Sequence, residues 1–167
     1  MLTEEQEKYL SKIPSDAVAS IKPWDPITAK FAKSLIKEIE QNTGLEVFWE
    51  GSLALGIPGE NDIDLVIFSE PKDFDKHLPA VIRTLGKPTY VLSEKVLWRI
   101  TKDGYKIDAS LTSKNDPAVK FDILFLTSLI NNPTLLKEYI TLKIPGLSAR
   151  KYYKLKNEFY NEITNIK

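Results

Sequence analysis

The sequence predicts an α+β domain in which helices lie against one side of a mixed β-sheet, with a helical extension at the C-terminal end. Three observations lead there. Helical spacing with cap signals fills the stretch before residue 44; short apolar runs of period two, bounded by glycines and prolines, fill 45–112; and from Pro117 onward only helical patterning recurs. The 167 residues, 43% of them hydrophobic, suffice for one core, so the chain reads as a single domain of N-terminal helices (1–44), a sheet core (45–112) and a helical tail (117–167).

Thr3 with Gln6 three residues on has the form of a capping box and opens a polar surface helix to about Ile13. Asp25 as cap and Pro26 at the first helical position open a second helix. Its apolar positions Ile27, Phe31, Leu35, Ile36 and Ile39 recur at helical spacing until Gly44. Leu45 to Glu50 is an apolar and aromatic run suited to a strand, broken at Gly51-Ser52. The next strand, Asp62 to Ser69, places Asp62, Asp64, Val66 and Phe68 on one face and Ile63, Leu65 and Ile67 on the other. Phe74, Leu78, Val81, Ile82 and Leu85 mark a third helix that Gly86 stops, with Pro79 either kinking it or marking its start. Thr89 to Leu92, Val96 to Thr101 and Tyr105 to Leu111 read as strands, the last two joined by a tight turn at Lys102-Asp103-Gly104. In the last strand Tyr105, Ile107, Ala109 and Leu111 form an apolar face, so Lys106, Asp108 and Ser110 project from the opposite one. Helices over Phe121 to Asn131 and Pro133 to Lys143 follow, then one capped by Ser148 that runs past Phe159.

Composition narrows the chemistry. The 23 basic and 23 acidic residues balance, so no global field advertises nucleic acid or an anionic membrane, and nothing marks DNA as a partner. The absence of cysteine excludes disulfides, thiolate chemistry and sulfur-ligated zinc, and the single His77 excludes histidine clusters; oxygen ligands remain. The N-terminus has neither a basic start nor an apolar stretch, and no run reaches the roughly 18 apolar residues of a membrane span. The chain reads as soluble and cytoplasmic, with no membrane partner.

Asp62-Ile63-Asp64 sets two carboxylates on one strand face, and Asp108 joins them if its strand is a neighbour. Such hard oxygen donors suit magnesium or manganese, and two such ions stabilise attacking and leaving oxygens in phosphoryl transfer. Upstream, the Gly51-Ser52 turn leaves a strand and enters a helix, where bare backbone amides and a hydroxyl could hold a triphosphate. An isolated Asp-x-Asp is more often a turn or a solvated strand end. The ordered set of Gly-Ser, a loop with Gly56, Pro58 and Gly59, Asp-x-Asp and a third isolated strand aspartate outweighs that reading.

Gly51-Ser52-Leu53-Ala54-Leu55-Gly56 leading to Asp62-Ile63-Asp64-Leu65 resembles the signature of the DNA polymerase β-like nucleotidyltransferase superfamily, over about Leu45 to Leu111. The resemblance implies a nucleotidyltransferase-type sheet flanked by helices and Mg2+ (or Mn2+) dependent transfer of a nucleotidyl group from a nucleoside triphosphate such as ATP. By it Gly51 and Ser52 contact phosphates, Asp62 and Asp64 bind both metals, and Asp108 is the third acid, helping to activate the acceptor hydroxyl. The two lead-in helices are similar to those of archaeal CCA-adding enzymes. The tail, Phe121-Asp122 through Asn132-Pro133, Leu136, Tyr139 and Leu142-Lys143, then Tyr153, Lys156 and Phe159, resembles the GrpB-like family of the same fold. That family's Gly-Ser runs directly into Val-Pro-Gly and commonly keeps only the second acid, whereas this chain has Ile57-Pro58-Gly59 and both aspartates. The alternative it implies is a nucleotide- or ligand-binding protein without transferase activity.

The acceptor stays open between a small molecule, a protein and RNA, the neutral net charge disfavouring a large RNA. Arg99 and Lys106, on strands around Asp108, could neutralise triphosphate charge, the first as a bidentate fork and the second as a point charge. Arg150 and Lys154, with Lys151 and Lys156, form either a phosphate or RNA patch or a solvated helix face. Trp24, Trp49 and Trp98 serve either base stacking or the core, and His77 reads as a helix-surface residue. Glu50 stands next to the Gly-Ser turn, but no spacing argument assigns it a role.

Overall fold

The computed structural model describes residues 1–165. Helix α1 (Glu4–Lys12) opens with both bonds of the Thr3 and Gln6 capping box, buries no residue of its own, and is tied to the end of the chain by Gln6 Nε2 donating to Asn161 Oδ1 at 2.9 Å. Helix α2 (Pro26–Thr43) starts where the Asp25 carboxylate accepts from the Ile27 amide at 2.9 Å, and ends at Gly44 in the left-handed conformation. Strand β1 (Val47–Glu50) runs into α3 (Gly51–Ala54), a single turn. Then come β2 (Ile63–Phe68), α4 (Phe74–Leu85), β3 (Tyr90–Val91), β4 (Lys95–Lys102), β5 (Tyr105–Thr112), α5 (Pro117–Asn131), α6 (Pro133–Thr141) and α7 (Ala149–Thr164).

The five strands form one mixed sheet in the order β1-β2-β5-β4-β3, with β2 and β5 parallel and every other pair antiparallel. One sheet face carries Ile63, Leu65 and Ile67 of β2, Ile107, Ala109 and Leu111 of β5, and Val96 and Trp98 of β4. It packs on Ala29, Ala32, Leu35 and Ile39 of α2 and Val81 and Leu85 of α4. Trp98 is wholly buried there and donates its indole N–H to the Gly86 carbonyl at 2.8 Å.

Helices cover both sides of the sheet rather than one. Val66 and Phe68, on the aspartate face of β2, pack with Val119 of α5, alongside Phe48 and Ile123. The alternation along β2 puts these two residues on the carboxylate side, and their bulk is what requires a helix there. Beyond this contact α5, α6 and α7 share a third cluster built on Ile57, Phe125, Leu129 and Tyr139.

Four boundaries differ from the pattern-based expectation. Pro79 does not start α4: it stands inside the helix, where its missing N–H leaves the Asp75 carbonyl without the usual i→i−4 partner. β3 shortens to an edge strand of two residues, leaving Tyr90, Val91 and Leu92 exposed. α5 begins at Pro117, because Asp116 caps it through the Ala118 amide at 2.9 Å. α6 ends at Thr141, which puts Lys143 in the connection to α7. Among the described residues no helix is long and apolar enough to cross a membrane.

Leu65 is 1% exposed and sits at the centre of the main cluster. Leu65→Ala should lower unfolding free energy by about 2–5 kcal/mol in urea denaturation. A loss below about 0.5 kcal/mol would mean that this face is not the principal core.

Candidate active site

Strand register builds the site. Parallel pairing sets Asp64 of β2 opposite Asp108 of β5; the antiparallel neighbours set Glu50 of β1 opposite Asp64 and Arg99 of β4 opposite Asp108. Glu50, Asp64, Asp108 and Arg99 therefore form one row across four strands, on the face turned away from the main core. Adjacent strands lie about 4.8 Å apart, so three carboxylates stand side by side. Asp62 comes one residue before β2 rather than within it, two residues from Asp64, and lines the same cavity.

The turn above the row is fixed by shape. Gly51 has φ +81°, and a Cβ at this position would overlap Asp64 Oδ2, so only glycine lets the backbone rest against that carboxylate. A Cβ on Gly59 would lie 2.6 Å from Ser52 Cβ, which makes Gly59 the floor beneath the serine. Residues 19–25 strap this loop in place. Lys22 and Gly59 exchange backbone bonds of 2.8 and 3.0 Å, Trp24 Nε1 donates to the Leu53 carbonyl at 3.0 Å, and Asn61 Nδ2 donates to the Pro23 carbonyl at 2.9 Å.

The helical tail supplies the other wall. Lys143, 6% exposed, donates from Nζ to Ser52 Oγ at 2.7 Å and to the Tyr152 hydroxyl at 3.2 Å, with Nζ 4.6 Å from the centre of the Tyr139 ring. Among the described residues it forms no ion pair with a carboxylate. Burial, and then Lys156, pull its ammonium down to about 7. The cavity between tail and sheet has a volume of about 400 Å³. Six carboxylates line it (Glu50, Glu60, Asp62, Asp64, Asp108 and Asp122) with one cation, Lys156, and an aromatic side made of Phe125, Tyr139, Tyr152, Tyr153 and Tyr160. Tyr160 donates to Asp122 Oδ1 at 2.8 Å, and Tyr153 donates to the Glu60 carboxylate at 2.9 Å.

Crowding shows in the proton affinities. Burial, then Asp122 and Asp64, push Glu50 up to about 8. Burial raises Asp64 to about 7 against the pull of Lys156, with Asp108 and Asp62 adding to the rise. Asp62, Asp108 and Asp122 are raised too, burial leading in each. A cation entering the row would relieve that strain. Among the described residues no three acidic or histidine side chains converge tightly enough to enclose a metal by themselves. What the sheet offers is the adjacent pair Asp64 and Asp108 with Asp62 beside them, all hard oxygen donors. That set fits magnesium, which takes one or two carboxylates and completes its octahedron with water and phosphate oxygens.

The sequence-predicted residues divide. Gly51, Ser52, Asp62, Asp64 and Asp108 line one cavity. Arg99 lies in the row, its Nε 3.6 Å from Asp108 Oδ2, but both side chains are more than half exposed and Arg99 lies outside the cavity lining. Lys106 is exposed and outside the lining as well, reaching the site only through its field on Asp62. The basic cluster of α7 does not form a patch. Lys156 turns into the cavity, Arg150 donates to the Ile13 carbonyl at 2.6 Å, and Lys154 pairs with Glu158 at 3.9 Å. Trp49 and Trp98 pack in the main core, and Trp24 serves the strap. His77 is more than a surface residue, since its Nδ1 hydrogen-bonds Ser69 Oγ at 2.8 Å. Sequence reasoning missed Glu50 as a member of the row, and it missed Lys143 and Asp122. Glu50 was one register assignment away, because any antiparallel β1 partner of β2 that matches the ends of the two strands brings it to Asp64.

Comparison with solved structures places the fold. The chain is similar to Cid1, an RNA terminal uridylyl transferase, with TM-score 0.55 and 13% identity over 84% of this chain and 45% of that one. It is similar to Cid1 poly(U) polymerase with MgGTP bound (TM-score 0.51, 15% identity, 84% of this chain and 46% of that one). A cytoplasmic RNA terminal U-transferase is a third likeness (TM-score 0.50, 16% identity, 84% and 44%). The chain thus has the nucleotidyltransferase fold and spans less than half the length of these structures. No family model matches it, and no curated protein matches it in sequence.

Two outcomes test this geometry. Gly44 and Gly51 share a left-handed φ, yet a Cβ at Gly44 meets nothing. In urea denaturation Gly44→Ala should cost about 1 kcal/mol and Gly51→Ala at least about twice that; equal losses would mean that Asp64 does not lie under the turn. Glu50 is bound more tightly by its proton in the folded state than in the unfolded one, so its contribution to stability is full below its ordinary 4.5 and is lost as pH rises through about 8. Glu50→Gln should therefore stabilise the protein at about pH 9 and gain little at about pH 5, as read by melting temperature across pH. A gain independent of pH would contradict the crowded row.

Proposed function

We propose that this chain is a metal-dependent nucleotidyltransferase, which holds a nucleoside triphosphate against the Gly51-Ser52 turn and moves its nucleotidyl group to an acceptor hydroxyl. The observation that carries the reading is the in-register pair Asp64 and Asp108 beneath a turn whose glycine leaves no room for a side chain. The acceptor oxygen bonds to the α-phosphorus as the bond to the bridging oxygen breaks, and the pyrophosphate and the hydroxyl proton depart. Magnesium or manganese held by Asp62, Asp64 and Asp108 would supply charge neutralisation on the phosphate and acceptor oxygens.

The chain's own groups do the positioning. Bare backbone at Gly51 and the Ser52 hydroxyl face the phosphates, and Lys143, which has only neutral partners and whose proton affinity burial lowers, stands behind Ser52 where an arriving phosphate would favour its charged form. Among the described residues Lys156 is the one cation that lines the cavity itself. Asp108, at the open end of the row beside Arg99, is placed to orient the acceptor hydroxyl. The similarity to uridylyl transferases supports the reaction class; uridine preference and RNA as acceptor belong to those proteins.

A second reading is a nucleotide- or ligand-binding module of the same fold without transfer. It draws support from the lack of a preformed three-acid metal cage among the described residues. Thermal unfolding with each of ATP, CTP, GTP and UTP, with magnesium and with chelator, separates the two. A nucleotide at 100 times its dissociation constant should add about 2.7 kcal/mol. The transferase reading expects this shift with magnesium, its loss with chelator, and its loss in Asp62→Asn/Asp64→Asn, together with labelled pyrophosphate release once an acceptor is present. A shift that persists in chelator favours the binding module, and no shift with any nucleotide overturns both.

A further inference from the structure

We infer that the acceptor is a small hydroxylated amine, held as a cation between Glu50 and Asp122 on the α5 side of the cavity; the inference rests on the transferase reading. The row of carboxylates is longer than nucleotide chemistry requires. Glu50 lies beyond Asp64, on the side away from Asp108, and Asp122 of α5 lines the cavity with it. Among the described residues neither the Glu50 nor the Asp64 side chain has a hydrogen bond or an ion pair, although both face the cavity. Asp122 takes one bond from Tyr160 on Oδ1, which leaves Oδ2 free.

Charge balance separates these acids from the metal ligands. A triphosphate carries about four negative charges, which two divalent ions match. Of the six carboxylates that line the cavity, Asp62, Asp64 and Asp108 go to the metals, and the one lining cation among the described residues, Lys156, cannot balance Glu50, Glu60 and Asp122 together. Such groups are stable as anions only when a cation joins them. The surrounding wall suits an organic cation. Phe125, Tyr139, Tyr152 and Tyr160 line the same side, and the Lys143 ammonium already lies 4.6 Å from the Tyr139 ring centre, so these faces accept a positive charge. A polyanionic strand entering past Glu50, Glu60 and Asp122 would meet like charge at every step. In the transfer the amine stays protonated and anchors the molecule, while a neighbouring hydroxyl is the nucleophile.

The test is calorimetric binding of glucosamine and streptamine, against N-acetylglucosamine, inositol and a short oligoadenylate, first with chelator and no nucleotide. The amines should bind and their neutral counterparts should bind at least about tenfold more weakly. Asp122→Asn should weaken amine binding by about the same factor while leaving the metal-dependent nucleotide shift in thermal unfolding intact. If neutral and cationic sugars bind alike, if Asp122→Asn binds the amines like wild type, or if the oligonucleotide binds more tightly than the amines, the cationic acceptor is ruled out whether or not the nucleotide shift appears. Amine binding without any nucleotide shift would instead remove the transferase reading and with it the role as acceptor. Circular dichroism and melting of Asp122→Asn without ligand distinguish loss of the site from loss of fold.

Discussion

The parallel register of β2 and β5 is the constraint on which the rest depends. It sets Asp64 beside Asp108, and with β1 and β4 paired as they are it extends that contact into a four-residue row. Like charges at strand spacing repel, and the sheet holds them together because its other face has no alternative. A slip of one residue would carry Leu65 and Ala109, both at most 1% exposed, from the core to the cavity. Hydrophobic burial on one side thus enforces electrostatic crowding on the other, and the raised proton affinities of Glu50 and Asp64 are the trace of that exchange.

Two remote segments finish the site. Residues 19–25 pin the glycine-rich loop through Lys22, Trp24 and the Asn61 side chain, so the turn that faces the carboxylates is anchored before any ligand arrives. Lys143 reaches Ser52 from the opposite end of the chain, and Tyr139 and Tyr152 hold its ammonium in a pocket without acid. The tail therefore lines the candidate site: α6 ends at Thr141, two residues sooner than its helical pattern, and Lys143 reaches the turn from the connection that follows.

Much of this could be read from residue order. Period-two alternation puts Asp64 on the face opposite Ile63, Leu65 and Ile67 and Asp108 on the polar face of its strand, and Gly51-Ser52 stands where a strand breaks into a turn. What one-dimensional pattern cannot supply is pairing. Glu50 enters the row only through its partner in β2, and Lys143 enters through a contact with Ser52 across 91 positions of sequence. Val66 and Phe68 lay on the expected face, yet the helix that covers them, α5, could not be assigned to either side from its own amphipathic pattern. Arg99 and Lys106 stand on strands around Asp108, as their positions suggest; Arg99 pairs with Asp108 in a contact more than half exposed, and Lys106 is exposed.

The most direct measurement is a crystal structure grown with manganese and a non-hydrolysable nucleoside triphosphate, with data collected at the manganese edge. The account predicts an anomalous peak in the row, about 2.0–2.2 Å from oxygens of Asp64 and Asp108, with the phosphates against Gly51 and Ser52. A bound nucleotide with no metal at these carboxylates, or a metal held elsewhere in the cavity, would contradict it.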